Sequence, residues 1–140
     1  MSEQVVMSEE SALTELEKGY QEAEVILKDT DKLEELFQRL EQKMKVVPVL
    51  GDKLATAASM ASLIKSYVQK EYTVPPLGTI IAAVSALAYF VSPIDVIPDT
   101  LPLIGHVDDA AIIMVCLKLI ESDLEEFLKW REKNGKEIQL

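Results

Sequence analysis

Four aspartates and the only histidine of the chain fall within fifteen residues: Asp95, Asp99, His106, Asp108 and Asp109. Carboxylate oxygens are the ligands of hard cations, and an imidazole among them would extend the set to a transition metal. The spacing D-x3-D-x8-D-D lacks the glycine and terminal glutamate of an EF-hand loop. Paired carboxylates can also exchange protons with a substrate. No Ser–His–Asp order, Cys–His pair or phosphate-cradling glycine loop accompanies them. The favoured reading is therefore non-enzymatic and without a cofactor, with a divalent-cation site at these five residues as an alternative.

The same residues have a structural use. Pro93, Pro98 and Pro102 each fix φ and remove an amide hydrogen, so no single helix can cross this stretch. Asp95 and Asp99 stand where short turns begin, with oxygens free to accept backbone amides. Gly105 offers backbone freedom at a turn. Asp108 or Asp109 can cap a following helix, where a negative charge also meets the favourable end of its dipole. On this reading Ser92, Pro93, Asp95, Pro98, Asp99, Gly105, Asp108 and Asp109 form a folding motif, a sharp connection between two apolar helices.

Those helices are legible on either side. Leu77 to Val91 is fifteen residues without a charge, apolar all round, so it belongs at the centre of a bundle or in lipid. A further helix is expected over 108–133. Its first half, "AAIIMVCLKLI", is apolar; its second half is amphipathic, and Asn134 and Gly135 stop it. Upstream, Leu13, Leu16, Tyr20, Ala23 and Leu27 mark one amphipathic helix. Leu33, Leu36, Leu40 and Val47, with Phe37 and Met44 beside them, mark a second. Asp31 and Glu34 suit a capping box between the two. A helix over 52–71, rich in small residues (Ala55, Ala57, Ala58, Ser59, Ala61), ends before Pro75 and Pro76. No strand-like alternation persists. The expected fold is all-α: a single bundle of about five helices around a central apolar hairpin joined by the Pro/Asp-rich loop. Residues 1–47 form an N-terminal amphipathic hairpin and residues 48–140 the main helical domain.

Composition narrows the function. Of 140 residues, 49% are hydrophobic and 27% charged, which suits a globular core and not a disordered chain. The net charge of −10 argues against nucleic acid, whose phosphates are held by Lys and Arg. A lone Cys116 excludes a disulfide framework and suggests a reducing, cytoplasmic setting. "MSEQVVMSEE" lacks the basic and apolar regions of a secretory signal. The uncharged run from Val74 to Ile94 is 21 residues, close to the roughly 20 that cross a bilayer. Prolines near both ends shorten its helical part. A membrane anchor built from residues 77–120 is thus an alternative to a water-soluble core.

"YFVSPIDVIPDTLPLIGHVDDAAII" closely resembles the signature of the YkvA-like family, domain of unknown function 1232. The motif is Ser92-Pro93-Ile94-Asp95-Val96-Ile97-Pro98-Asp99, then Leu103, Ile104 and Gly105, then Asp108-Asp109, between two apolar helices. The likeness extends more loosely from Leu63 to Trp130 and leaves the two N-terminal helices outside. The resemblance implies no established activity; it implies that the apolar helices of some relatives meet membranes. The expected role is structural or protein-interacting, through a protein partner or self-association, with contact at a membrane surface as a further expectation.

Overall fold

The computed structural model describes residues 9–46, 52–91 and 109–134. Among them are six helices and no strand: α1 (Glu9–Lys18), α2 (Tyr20–Lys28), α3 (Thr30–Val46), α4 (Asp52–Val68), α5 (Leu77–Val91) and α6 (Asp109–Lys133). The all-α class and the central apolar pair are as expected. The sixth helix arises because the first expected helix is broken at Gly19.

Gly19 faces α5 at a distance only a glycine allows. A Cβ there would lie 2.5 Å from Ser85 Oγ and 3.3 Å from a ring carbon of Tyr89. Its amide donates to Leu16 O at 3.1 Å, a three-residue step that interrupts the helical ladder. Ser85 Oγ donates to the same carbonyl at 2.8 Å. The kink thus presents a main-chain acceptor to α5, and α5 satisfies it.

The next boundary also differs from expectation. Asp29, not Asp31, caps α3: its Oδ1 accepts the amides of Asp31 at 3.0 Å and Lys32 at 3.2 Å. The Asp29 amide meanwhile donates to Ile26 O at the end of α2. One residue therefore closes one helix and opens the next.

α4 stops at Val68, three residues before the expected end. Glu71 N donates to Ser66 O and Lys70 N to Tyr67 O, with Lys70 left-handed at φ 65°. This is a Schellman closure with lysine at the position glycine usually takes. Of the small residues of α4, Ala57, Ser59 and Ala61 are buried, whereas Ala55 is exposed.

α5 is the axis of the bundle. Ten of its fifteen residues are buried, and α1, α2, α3, α4 and α6 all pack on it. An uncharged helix needs such a surround in water, because each buried Leu, Ile or Phe contributes roughly 1.5–3 kcal/mol. α6 runs antiparallel to α5: Cys116 lies against Ala82 and Asp123 against Thr79. Ala12 and Leu16 of α1, Ala23 of α2, and Leu33, Leu36 and Leu40 of α3 join the same buried cluster as Ile80, Leu87, Ile112 and Phe127. Residues 9–46 therefore share one core with α4–α6.

Candidate functional site

Of the residues singled out for chemistry, Ser92, Pro93, Asp95, Pro98, Asp99, Gly105, His106 and Asp108 lie outside the described residues. Asp109 is described in its backbone alone, as the first residue of α6. Asp108 accordingly occupies the position directly before that helix. The described residues give the frame from which the Pro/Asp stretch departs and to which it returns.

That frame is anchored from α1 and α3. At the end of α5, Lys43 Nζ of α3 donates to the Phe90 carbonyl and lies 4.2 Å from the centroid of the Phe90 ring. A cation at this point meets both the helix's negative end and the face of an aromatic ring. From the adjacent position on α5, the Tyr89 hydroxyl donates to Glu15 Oε1 of α1 at 3.1 Å. Burial, reinforced by that hydrogen bond to Glu15, pushes the Tyr89 phenol up to about 12. Phe90 and Val91 are themselves buried. A groove of about 320 Å³ opens beside them, with Ile26, Leu36, Ala88 and Val91 on its floor. Its rim carries Glu22 and Glu35 with Lys32 and Arg39, and Arg39 pairs with Glu35 at 3.1 Å.

Elsewhere the buried polar groups join helices. Thr79 Oγ1 donates to Asp123 Oδ2 at 2.6 Å. The Arg131 guanidinium is buried and donates to Ser62 Oγ at 2.6 Å, with its carbon 5.7 Å from the Phe127 ring centroid. Tyr72 and Trp130 pack at 4.9 Å and Tyr72 and Phe127 at 5.2 Å, closing the end of the bundle away from Val91. The Cys116 thiol donates to Ala82 O at 3.4 Å, and burial pushes it up to about 12. A thiol held this firmly protonated is a packing group and not a nucleophile. Among the described residues no group of three His, Cys, Asp or Glu side chains is placed to hold a metal ion.

Gly19, Lys43 and Arg131 carry much of this geometry, and none stands out in the sequence. A glycine inside an amphipathic stretch is a weak sign of a kink. Lys43 and Arg131 sit among many similar charges, with nothing local to mark them as inward-facing.

Residues 79–115 match the family described as "Protein of unknown function (DUF1232)". The matched span opens in the first turn of α5, takes in the whole Pro/Asp stretch and closes in α6. This is a YkvA-like, DUF1232 segment. Over 43 residues the chain is 42% identical to the "Uncharacterized membrane protein YkvA" of Bacillus subtilis, which covers 31% of this chain and 41% of the relative. The chain thus spans less than half of that relative's length. No solved structure matches. The family segment coincides with the central hairpin, and α1–α3, which cover it, lie outside the match.

Proposed function

We propose that this DUF1232 protein is a non-enzymatic helical scaffold that presents the Pro/Asp stretch, residues 92–109, to a protein partner. The α5–α6 pair is its core, and any contact with a membrane is peripheral. The observation that carries this reading is the covering of α5. A helix without a charge, which could otherwise be taken for a membrane segment, is enclosed by five helices of its own chain. At fifteen residues it is about 22 Å long, short of the roughly 30 Å of a bilayer's hydrocarbon. Among the described residues no helix is long and apolar enough to cross a membrane. Residues 1–47 act in this reading as a built-in cover for the hairpin.

The name of the Bacillus relative supports a second reading, in which the hairpin over residues 77–120 is a lipid anchor. Fractionation of the full chain separates the two, with membranes washed first in high salt and then in alkaline carbonate. The scaffold reading expects the protein in the supernatant, or released by salt. Retention through carbonate would overturn it in favour of the anchor.

A further inference from the structure

We propose that the groove between α3 and α4 receives a basic amphipathic helix from a partner protein. Both helices pack on α5 yet make little contact with each other, so a groove runs along their seam, floored by α3 and α4 and not by α5. The opening has a volume of about 480 Å³. Its apolar floor is Leu33, Phe37 and Val68, and Val68 is 41% exposed, one of the few large apolar side chains left to solvent among the described residues. Two neighbouring helices with an apolar seam between them are the surface into which a third helix lays its apolar stripe.

Charge decides what kind of helix fits. The groove beside Val91 carries two acids and two bases, Glu22 and Glu35 with Lys32 and Arg39. The groove beside Tyr72 is balanced in the same way, Glu126 and Glu132 with Lys129 and Lys133. Among the described residues the α3–α4 groove is one-sided. Glu34 and Glu41 line its α3 rim two turns apart, both exposed, and neither forms an ion pair with a described residue. Among the described residues its single base, Lys65, lies over the Phe37 ring at 5.1 Å from the centroid. Lysines or arginines spaced two turns apart on an incoming helix would meet the two carboxylates while its apolar stripe covers Phe37 and Val68. The chain's net charge of −10 favours approach of such a partner and disfavours a second copy of this chain.

The test uses two synthetic helical peptides of about 18 residues, long enough to follow α3. Both carry leucines at helical spacing; one is otherwise rich in lysine, the other in glutamate. The full-length protein is titrated with each, and amide shifts are followed by NMR. The lysine peptide is expected to bind and to move the amides of Leu33, Phe37 and Val68, whereas the glutamate peptide is not. In the exposed double variant Glu34→Lys/Glu41→Lys, the lysine peptide should lose about tenfold in affinity and the glutamate peptide should gain it. The proposal fails if the lysine peptide does not bind, if the shifts fall elsewhere, or if the double variant binds both peptides as the natural chain does. It also fails if these three amides shift with protein concentration alone, which would make the groove a contact between copies.

Discussion

The hydroxyl of Thr79 donates to the carboxylate of Asp123 at 2.6 Å, fastening the first turn of α5 to the middle of α6. The carboxylate also lies at the positive end of the α5 dipole. A hydrogen bond to a charged acceptor contributes more than a neutral one. Asp123 is half-buried, so solvent screens part of the gain. Asp123→Ala is expected to destabilise the fold by about 1–2 kcal/mol, and Thr79→Val by a similar amount. Urea denaturation of the two single variants and the double variant should show non-additive losses. Additive losses would mean that the two groups do not act on each other.

Gly19 gives a second, sharper case. An alanine there would place its Cβ 2.5 Å from Ser85 Oγ, and Ser85 cannot turn away without dropping its bond to Leu16 O. Gly19→Ala should cost about 1–3 kcal/mol through this overlap. Adding Ser85→Ala removes the atom in the way. The double variant is therefore expected to be more stable than the sum of the single effects by at least about 0.5 kcal/mol. A fully tolerated Gly19→Ala would mean that Gly19 and Ser85 do not approach closely enough to exclude a methyl group.

Lys70 is the only non-glycine residue with positive φ among the described residues, at 65°. A side chain in the left-handed region costs about 1–2 kcal/mol, partly offset by the greater freedom glycine has in the unfolded chain. Lys70→Gly should raise stability by about 0.5–1 kcal/mol without changing the fold. A lowered melting temperature would show that the lysine side chain contributes more than its backbone strain removes.

What could be read in advance, and what could not, divides by the range of the cause. The α5 helix was legible because fifteen uncharged residues between prolines permit little else; whether protein or lipid surrounds it was not, because that depends on the helices packed against it. The α3 stripe of Leu33, Leu36 and Leu40 was legible from its own periodicity, and all three are buried. The break at Gly19 was not, because its cause is Ser85, on another helix. The choice of Asp29 over Asp31 as cap was equally hidden. "KDTD" offers two aspartates, and the bond from the Asp29 amide to Ile26 O in the last turn of α2 settles which one serves. The end of α4 was placed late because the prolines at 75 and 76 are conspicuous while a left-handed lysine has no signature. The expected Pro/Asp site rests on its residue types and its family likeness, with its side chains outside the described region.

A buried thiol and a half-buried phenol should make the fold sensitive to alkali. Burial raises the Cys116 thiol from 9.0 to about 12. Burial and the Glu15 hydrogen bond raise the Tyr89 phenol from 10.0 to about 12. In each case the folded chain holds the proton more tightly than the unfolded chain does. Their contribution is therefore fully present below the unfolded values and is lost as the pH climbs from about 9 toward 12, where the unfolded state alone has ionised. The urea midpoint is expected to be level near pH 8 and to fall steadily above pH 9. Cys116→Ala should lessen the early part of that fall and Tyr89→Phe the later part, although each variant also loses some packing or a hydrogen bond at neutral pH. The same protection should keep Cys116 unreactive toward iodoacetamide at pH 8 until urea unfolds the chain. Rapid labelling of the native protein, or a urea midpoint unchanged to pH 11, would show that α1 and α6 do not seal α5 as tightly as these two groups require.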